Sequence, residues 1–282
     1  VEADEYDRSF LQLFPTHAAI TTMDADHMEI YDSLEGIEQG FTAFAKQVKN
    51  TLLVSYGLPL SNLTYGFEAN ASYSIPSFKP HNEGYLFDVV TPEGEEKALY
   101  FNQIGKHNLV NALCAISLAH LEGVSFESIR KGLASFPGIE RRMNQYQLDD
   151  LLLIDDYAHH PVELKAVLKT IKSTYPKRKN GIVFQPHLFS RTRDFMCDFV
   201  SVLSEFDEVI LLDIYPAREL PIEGVTSDNL LNLITNPNKK KVQKVDLLSA
   251  IEESKADLLV MAGAGDIGLE VQKILMQLNP TT

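Results

Sequence analysis

From Leu151 to the end of the chain, short apolar runs alternate with segments whose apolar residues recur every three or four positions. The apolar runs are typical of buried strands, and the other segments are typical of amphipathic helices. Strands that alternate with helices form a parallel sheet covered on both faces. The sequence therefore predicts an α/β fold. The predicted strands are 151–154, 181–185, 208–213 and 257–262, and the predicted helices are 162–174, 192–206, 228–234, 247–254 and a last one ending at 278.

The preceding part of the chain has a different rhythm. Between Leu52 and Phe101, short apolar runs are interrupted by Asn, Pro and Gly, for which antiparallel pairing is the economical interpretation. Pro137, Gly138 and a pair of arginines then mark a boundary near residue 140. We expect domains at 1–141 and 142–282. Within the first, the predicted elements include a strand around 18–22, a helix with Ile37, Phe41, Phe44 and Val48 on one face, and helices at 105–121 and 125–136.

Bulk properties exclude several classes of protein. A formal net charge of -14 disfavours non-specific nucleic-acid binding, which needs a basic surface. Cys114 and Cys197 both fall in predicted helices, so we expect two buried thiols rather than a disulfide. No apolar run approaches the roughly 18 residues of a membrane span. A cytoplasmic protein is expected.

The segment LLLIDDYAHHPVE concentrates reactive side chains at the end of a predicted strand. Pro161 suits the first turn of a helix, so the strand-to-helix turn holds two carboxylates, a phenol and two imidazoles. Ligands of α/β sheets bind at such turns. Because each buried polar group needs a partner, packing alone does not account for this set. The candidate residues are Asp155, Asp156, Tyr157, His159 and His160.

A basic segment, FQPHLFSRTRD, follows the next predicted strand. His187, Arg191 and Arg193 would converge there, and Ser190 is a plausible helix cap. Arginine binds phosphate or carboxylate in a bidentate manner, so the segment favours a site that receives an anion. A solvated helix start is the alternative.

The sequence GAGDIG places Gly263, Gly265 and Gly268 in the G-x-G-x-x-G pattern, after a strand and before a helix. A nicotinamide site would also need a later strand with an acidic residue, for which no chain remains. We therefore expect the glycines to allow close helix packing, with a bound anion or carboxylate as the alternative.

Near the start of the chain, acidic residues cluster in VEADE and MDADH, the second group just past a predicted strand. Mg²⁺ takes one or two carboxylates and leaves its other positions to water and phosphate. In a chain with 39 acidic residues, surface carboxylates are equally expected. The candidates are Glu2, Asp4, Glu5, Asp24, Asp26 and His27.

Taken together, these motifs resemble the Mur ligases. The segments VEADEYD, DADHMEIY, GKHNLVNAL, GIERR, IDDYAHHPVE, FQPHLFSRTRD, IYPARE and GAGDIG stand in that family's order and approximate spacing, across nearly the whole chain. The resemblance implies part of a central ATP-binding domain followed by a Rossmann-like C-terminal domain. Within the family, DDYAHHP and FQPHLFSRTRD favour the branch that joins L-alanine to UDP-N-acetylmuramate over the murein tripeptide recycling branch.

The resemblance also implies roles for individual residues. Glu2 and His27 would bind Mg²⁺ and, with Arg142, would be catalytic. Arg142 would reach the ATP phosphates, and Asp156 would lie near the ribose. The amides of Asn108 and Asn111 would contact the adenine nucleotide. The residues expected to face L-alanine and the muramyl substrate are Tyr157, His159, His160, His187, Arg191 and Arg193.

One motif of the family does not occur in this sequence. The phosphate loop G-x-x-x-x-G-K-[ST] is missing, and the pair Gly105-Lys106 is followed by His107. The family carries this loop, preceded by a UDP-binding domain, upstream of the position matching Glu2. We therefore expect a fragment that is inactive alone. A non-catalytic nucleotide-binding fragment and a metal-dependent hydrolase using the paired aspartates and histidines remain alternatives.

Overall fold

A computed structural model describes residues 1–3, 7–23, 31, 33–82 and 84–278. The chain divides into two compact units, Val1–Phe136 and Pro137–Thr282. In the described residues, no helix is both long and apolar enough to cross a bilayer.

The first unit contains a mixed seven-stranded sheet with the order β1-β2-β3-β4-β6-β5, and β7 pairs with β6. The strands are β1 (His17–Ile20), β2 (Thr51–Ser55), β3 (Leu63–Gly66), β4 (Tyr73–Ser74), β5 (Phe78–His81), β6 (Gly84–Thr91) and β7 (Gly94–Phe101), and the helices are α1 (Leu34–Ala45), α2 (Lys106–Leu121) and α3 (Phe126–Ser135). A short 3₁₀ helix spans Ser9–Gln12.

The expected antiparallel pairing is only partly correct. Strands β1 to β4 pair in parallel, whereas β4, β5 and β7 are antiparallel to β6. Strand β2 buries Leu52, Leu53 and Val54 in succession, which is typical of a parallel strand covered on both faces. Its continuous apolar run was therefore the signal for parallel pairing.

Helices α1 and α2 pack in different clusters of the first unit. Leu109, Leu113 and Ile116 of α2 are buried with Tyr65 and Leu99 of the sheet. Leu121, the last residue of α2, is 37% exposed. Helix α1 begins after Ser33, whose hydroxyl accepts a hydrogen bond from the Gly36 N–H, and Val48 of its predicted face lies beyond the helix end.

The second unit confirms the predicted mostly parallel sheet. Its strand order is β12-β11-β10-β13-β9-β8, and every neighbouring pair except β8 with β9 is parallel. The strands are β8 (Asn144–Leu148), β9 (Leu151–Asp156), β10 (Asn180–Phe184), β11 (Glu208–Leu211), β12 (Lys239–Lys241) and β13 (Leu258–Ala262). The helices are α4 (Pro161–Thr174), α5 (Phe189–Asp194), α6 (Met196–Leu203), α7 (Ser227–Leu233), α8 (Leu247–Glu252) and α9 (Ile267–Leu278), with a 3₁₀ helix at Lys244–Asp246.

Two expectations for the predicted helix 192–206 are wrong. The segment forms two helices, α5 and α6, which meet at Phe195 with φ -110° and ψ 21°. Cys197 lies on the exposed side of α6, so Cys114 is the only one of the two thiols that is buried. Apolar spacing alone did not reveal the irregular residue at the junction.

Candidate active site

The segment after β9 forms a tightly hydrogen-bonded turn at the edge of the second sheet where the parallel strands have their carboxyl ends. Helix α4 begins at Pro161, and His160 is its N-cap, with the Val162 N–H donating to His160 Nδ1 at 3.4 Å. In return, Glu163 Oε2 accepts hydrogen bonds from the backbone N–H groups of His159 (2.8 Å) and His160 (3.0 Å). The His160 ring also packs on Phe195, with 4.4 Å between centroids. His160 therefore has a structural role in this turn.

The buried carboxylate of Asp156 stabilises this turn. Its Oδ2 accepts from the Met143 N–H at 2.9 Å, and its Oδ1 accepts from the Ala158 N–H at 2.8 Å. Burial raises the pKa of the Asp156 carboxyl to about 6, although both N–H donors and nearby Arg142 favour the charged form. The carboxylate thus joins the start of the second unit to the turn after β9.

Asp155 points to the opposite face of the sheet, because successive strand residues alternate. It is 2% exposed, and its Oδ1 lies 3.4 Å from Arg141 Nε. Burial raises the pKa of this carboxyl, while the guanidinium opposes the shift. Since the two aspartates face opposite ways, they do not form the paired site that a metal-dependent hydrolase would need.

The arginine pair of GIERR lies beside the turn. Arg141 (φ 58°) and Met143 (φ 57°) both adopt left-handed backbone, which costs roughly 1–3 kcal/mol per residue. The Tyr157 N–H donates to the Arg141 carbonyl at 2.6 Å, and the Asp156 bond holds Met143. Both guanidinium groups lie over the Tyr157 ring, that of Arg141 at 5.1 Å and that of Arg142 at 5.5 Å. Arg142 is exposed between two restrained neighbours.

Two histidines and an arginine form a neighbouring cluster. The rings of His159 and His187 have centroids 6.0 Å apart, and His187 stacks on Tyr215 at 5.6 Å. Arg191 Nη1 lies 3.4 Å from His187 Nδ1. Burial, followed by the charge of Arg191, lowers the pKa of His187 to about 4, and burial also lowers the pKa of His159. Both imidazoles are therefore neutral at pH 7 and able to accept hydrogen bonds.

The remaining residues of the basic segment have other partners. Arg193 is exposed, and its Nε bonds to Asp194 Oδ1 at 2.7 Å. Ser190 is not the helix cap that the sequence suggested, because α5 begins after Leu188, which has φ 71°. Instead, Glu219 accepts from both the N–H and the hydroxyl of Ser190. Tyr215 and Glu219 come from a separate loop, the IYPARE segment, and were not among the predicted site residues.

Packing explains the glycines of GAGDIG. A Cβ at Gly263 would lie 2.6 Å from the Gln185 carbonyl oxygen, and one at Gly265 would lie 2.5 Å from Gln185 Oε1. At Gly268, a Cβ would lie 2.7 Å from Arg141 Nε. Gln185 Oε1 accepts from the Ile267 N–H at 3.0 Å and so caps α9, occupying a donor that a bound anion would use.

The candidates of the first unit are less tightly arranged. Asn108 Nδ2 donates to the Ile104 carbonyl at 2.7 Å, and Asn111 is exposed one turn later on α2. Asn102 Oδ1 is buried without a partner in the described residues, and sequence reasoning missed it. Glu2 is exposed.

The expected metal ligands are only partly visible. His27, Asp24, Asp26, Asp4 and Glu5 lie outside the described residues. Within the described part of the chain, no group of three or more His, Cys, Asp or Glu side chains is placed to hold a metal ion. The carboxylate of Glu2 has the hard oxygen chemistry that Mg²⁺ prefers.

Family profiles match both units. The Mur ligase middle domain matches residues 3–119, and the Mur ligase glutamate ligase domain matches residues 141–269. This chain belongs to the Mur ligase family. The predicted family is thereby confirmed, together with the α/β fold class.

Curated relatives align with nearly the whole chain. Proteins named UDP-N-acetylmuramate--L-alanine ligase are 50% identical in Flavobacterium johnsoniae, over 99% of this chain, and 49% identical in Christiangramia forsetii, over 97%. The chain spans 61% of the Christiangramia relative and 63% of the Flavobacterium relative.

Solved structures share the fold. The Thermotoga maritima UDP-N-acetylmuramate-alanine ligase MurC has a TM-score of 0.82 at 22% identity, covering 99% of this chain and 63% of that protein. The MurF ligase of the same organism, in complex with ADP, has a TM-score of 0.70 at 14% identity, covering 95% and 63%. At these identities the likeness concerns the fold alone.

Proposed function

We propose that these two domains belong to an ATP-dependent ligase that joins L-alanine to UDP-N-acetylmuramate in peptidoglycan precursor synthesis, in the cytoplasm. The observation that supports this best is the identity of 49–50%, over 97–99% of the chain, to relatives that carry this ligase name. The resemblance of the motifs points to the same reaction.

In the proposed reaction, the lactyl carboxylate of the muramyl substrate takes the γ-phosphoryl group of ATP, which releases ADP and forms an acyl phosphate. The amine of L-alanine attacks the acyl carbon, and the tetrahedral intermediate expels phosphate as the amide forms. Such catalysis depends on positioning and on neutralisation of charge. Exposed Arg142 would offer its guanidinium to the ATP phosphates, and Asn108 and Asn111 would face the adenine nucleotide.

Mg²⁺ would neutralise phosphate charge when bound, and we assign Glu2 and His27 as its protein ligands. Asp156 keeps lone pairs beyond those used by its two backbone bonds, so it can order the turn and also accept from a ribose hydroxyl.

The cluster around His187 would receive the amino-acid side of the reaction. Arg191 supplies a cation for the L-alanine carboxylate. Neutral His159 donates from Nδ1 to the Tyr157 carbonyl, which leaves its Nε2 as a hydrogen-bond acceptor for the incoming amine. Tyr157 would border the muramyl substrate. His160 would act by shaping the turn, and Arg193 would have to leave Asp194 to meet an anion.

The test compares the 282-residue chain with a chimera in which the N-terminal part of the Flavobacterium johnsoniae relative, where the family resemblance places the phosphate loop, precedes Val1. We expect the chimera to form ADP and the alanyl product from ATP, UDP-N-acetylmuramate and L-alanine. The chain alone, whose sequence holds no phosphate-loop lysine, should be slower by about 10³- to 10⁵-fold, by analogy with the loss of other cations that stabilise phosphoryl transfer. A chimera that is inactive with L-alanine, or a chain that is equally active alone, would contradict the proposal.

Two substitutions in the chimera test the amino-acid site. Arg191→Ala should raise the KM for L-alanine by roughly tenfold to hundredfold, the effect of losing a hydrogen bond to a charged group. Lys169→Ala, on the exposed face of α4, is the matched loss of a cation and should leave this KM unchanged. If both substitutions changed the KM for L-alanine equally, Arg191 would not be part of the amino-acid site.

A further inference from the structure

We infer that Arg141 is a positioning residue that holds Arg142 and Tyr157 in place for the reaction without itself touching substrate. This inference rests on the proposed function for its catalytic consequence. Its structural basis lies wholly within the second unit, where the side chain of Arg141 is 21% exposed and bonded on several sides.

Arg141 joins three separate segments of the chain. Its Nη2 donates to the Gly263 carbonyl at 2.5 Å, and its Nη1 donates to the Gly265 carbonyl at 3.3 Å. Its Nε faces buried Asp155, and its own carbonyl accepts the Tyr157 N–H. The start of the second unit is thereby tied to the turn after β9 and to the loop before α9.

The backbone around Arg142 depends on these bonds. Arg141 and Met143 both have positive φ angles, so the chain is held in an unfavourable conformation on each side of Arg142. Arg142 itself has no side-chain hydrogen bond among the described residues, and its guanidinium rests on the Tyr157 ring. The direction of Arg142 therefore follows from the restraint of its neighbours.

Gly268 provides the space that Arg141 occupies. A Cβ there would lie 2.7 Å from Nε, 2.8 Å from Cζ and 2.9 Å from Cδ of Arg141, so alanine would displace the guanidinium. The third glycine of GAGDIG therefore leaves the space that the Arg141 side chain fills. Lysine could not replace this arginine, because a single ammonium lacks the planar fork that bonds two carbonyls and a carboxylate together.

Amide hydrogen exchange tests the restraint without any need for activity. In the 282-residue chain, Arg141→Ala and Gly268→Ala should each speed exchange at the Tyr157 and Met143 amides by about tenfold. Both amides keep their own acceptors, but the segment should open more easily without the side-chain bonds of Arg141, by about the free energy of one typical hydrogen bond. Amides of β10 should keep their rates, which separates local release from unfolding. Gly132→Ala is the control, because a Cβ at Gly132 on α3 meets nothing within 4 Å. Unchanged exchange at both amides would overturn the inference.

Steady-state kinetics of the chimera test the catalytic consequence. Arg141→Ala should lower kcat/KM for ATP by about 10²-fold, the cost of a misplaced catalytic group, and Arg141→Lys should not restore it. Arg142→Ala combined with Arg141→Ala should be no worse than Arg142→Ala alone, because Arg141 acts through its neighbour. Multiplied losses would mean that Arg141 acts independently.

Gly268→Ala completes the design. It should lower kcat/KM for ATP in the wild-type chimera but cause no further loss beside Arg141→Ala, where the space is vacant. Equal losses in both backgrounds would overturn the inference. An inactive chimera would refute the proposed function, while the exchange rates would still decide whether Arg141 restrains the segment.

Discussion

At the scale of single residues, the environment decides which of the predicted side chains are free for chemistry. The segment DDYAHHP concentrates polar groups, but their spacing does not reveal that Asp156 bonds two backbone amides or that His160 caps α4. Those roles depend on Met143 and Phe195, which come from other parts of the chain. The sequence predicts a candidate site in this segment, whereas only the folded contacts distinguish the side chains with structural roles from those that are available to a ligand.

The protonation of His187 is a prediction at this scale. Its pKa of about 4 lies below the ordinary 6.5, so between these values the unfolded chain binds the additional proton. This group therefore destabilises the fold as the pH falls through that range. Arg191→Ala should raise the pKa of His187, but not fully to 6.5, because burial is the larger cause.

Site-resolved NMR titration of the imidazole is the appropriate measurement. Asp156 has the opposite linkage: with its pKa raised from 3.8 to about 6, it binds a proton more readily in the folded state, which favours folding as the pH falls through that range. A global melting curve would mix the two effects. A His187 that titrates near 6.5, or one unaffected by Arg191→Ala, would refute the described environment.

At the scale of elements, the strands that sequence reasoning missed in the second unit are the two edges of the sheet. Strand β8 has the sequence NQYQL and β12 has KKK, and neither has an apolar run. Edge strands are commonly polar, and lysine there discourages pairing with other chains. Buried strands such as β13 are apolar throughout and were therefore predicted.

The cap of α9 gives a prediction for an element. Gln185 is 1% exposed, accepts from the Ile267 N–H and donates to Asp266 Oδ1 at 2.8 Å. Gln185→Leu keeps most of the side-chain volume but leaves these buried groups without a partner, which should destabilise the second unit by about 1–3 kcal/mol. Gln272→Leu, at an exposed position of α9, is the control. Urea unfolding that shows equal stability for both variants would refute this role of Gln185.

At the scale of the whole molecule, the contacts around Arg141 refine where an independently folding piece should begin. The sequence predicted that the second domain begins at residue 142, and the second unit does have its own sheet and buried core. The compact unit begins at Pro137, however, and includes the arginine that bonds Asp155, Gly263 and Gly265. Beginning at residue 143 removes those bonds.

We therefore expect both 137–282 and 143–282 to unfold cooperatively, with the shorter piece less stable by about 1–3 kcal/mol, the range for buried groups left without a partner. Arg141→Ala should make the longer piece nearly as unstable as the shorter one. That result would show that the Arg141 side chain, and not the length of the segment, accounts for the difference in stability. Urea unfolding followed by circular dichroism measures all three. If the two pieces were equally stable, Arg141 would contribute nothing to the fold, and its restraint of Arg142 would have to be abandoned with it.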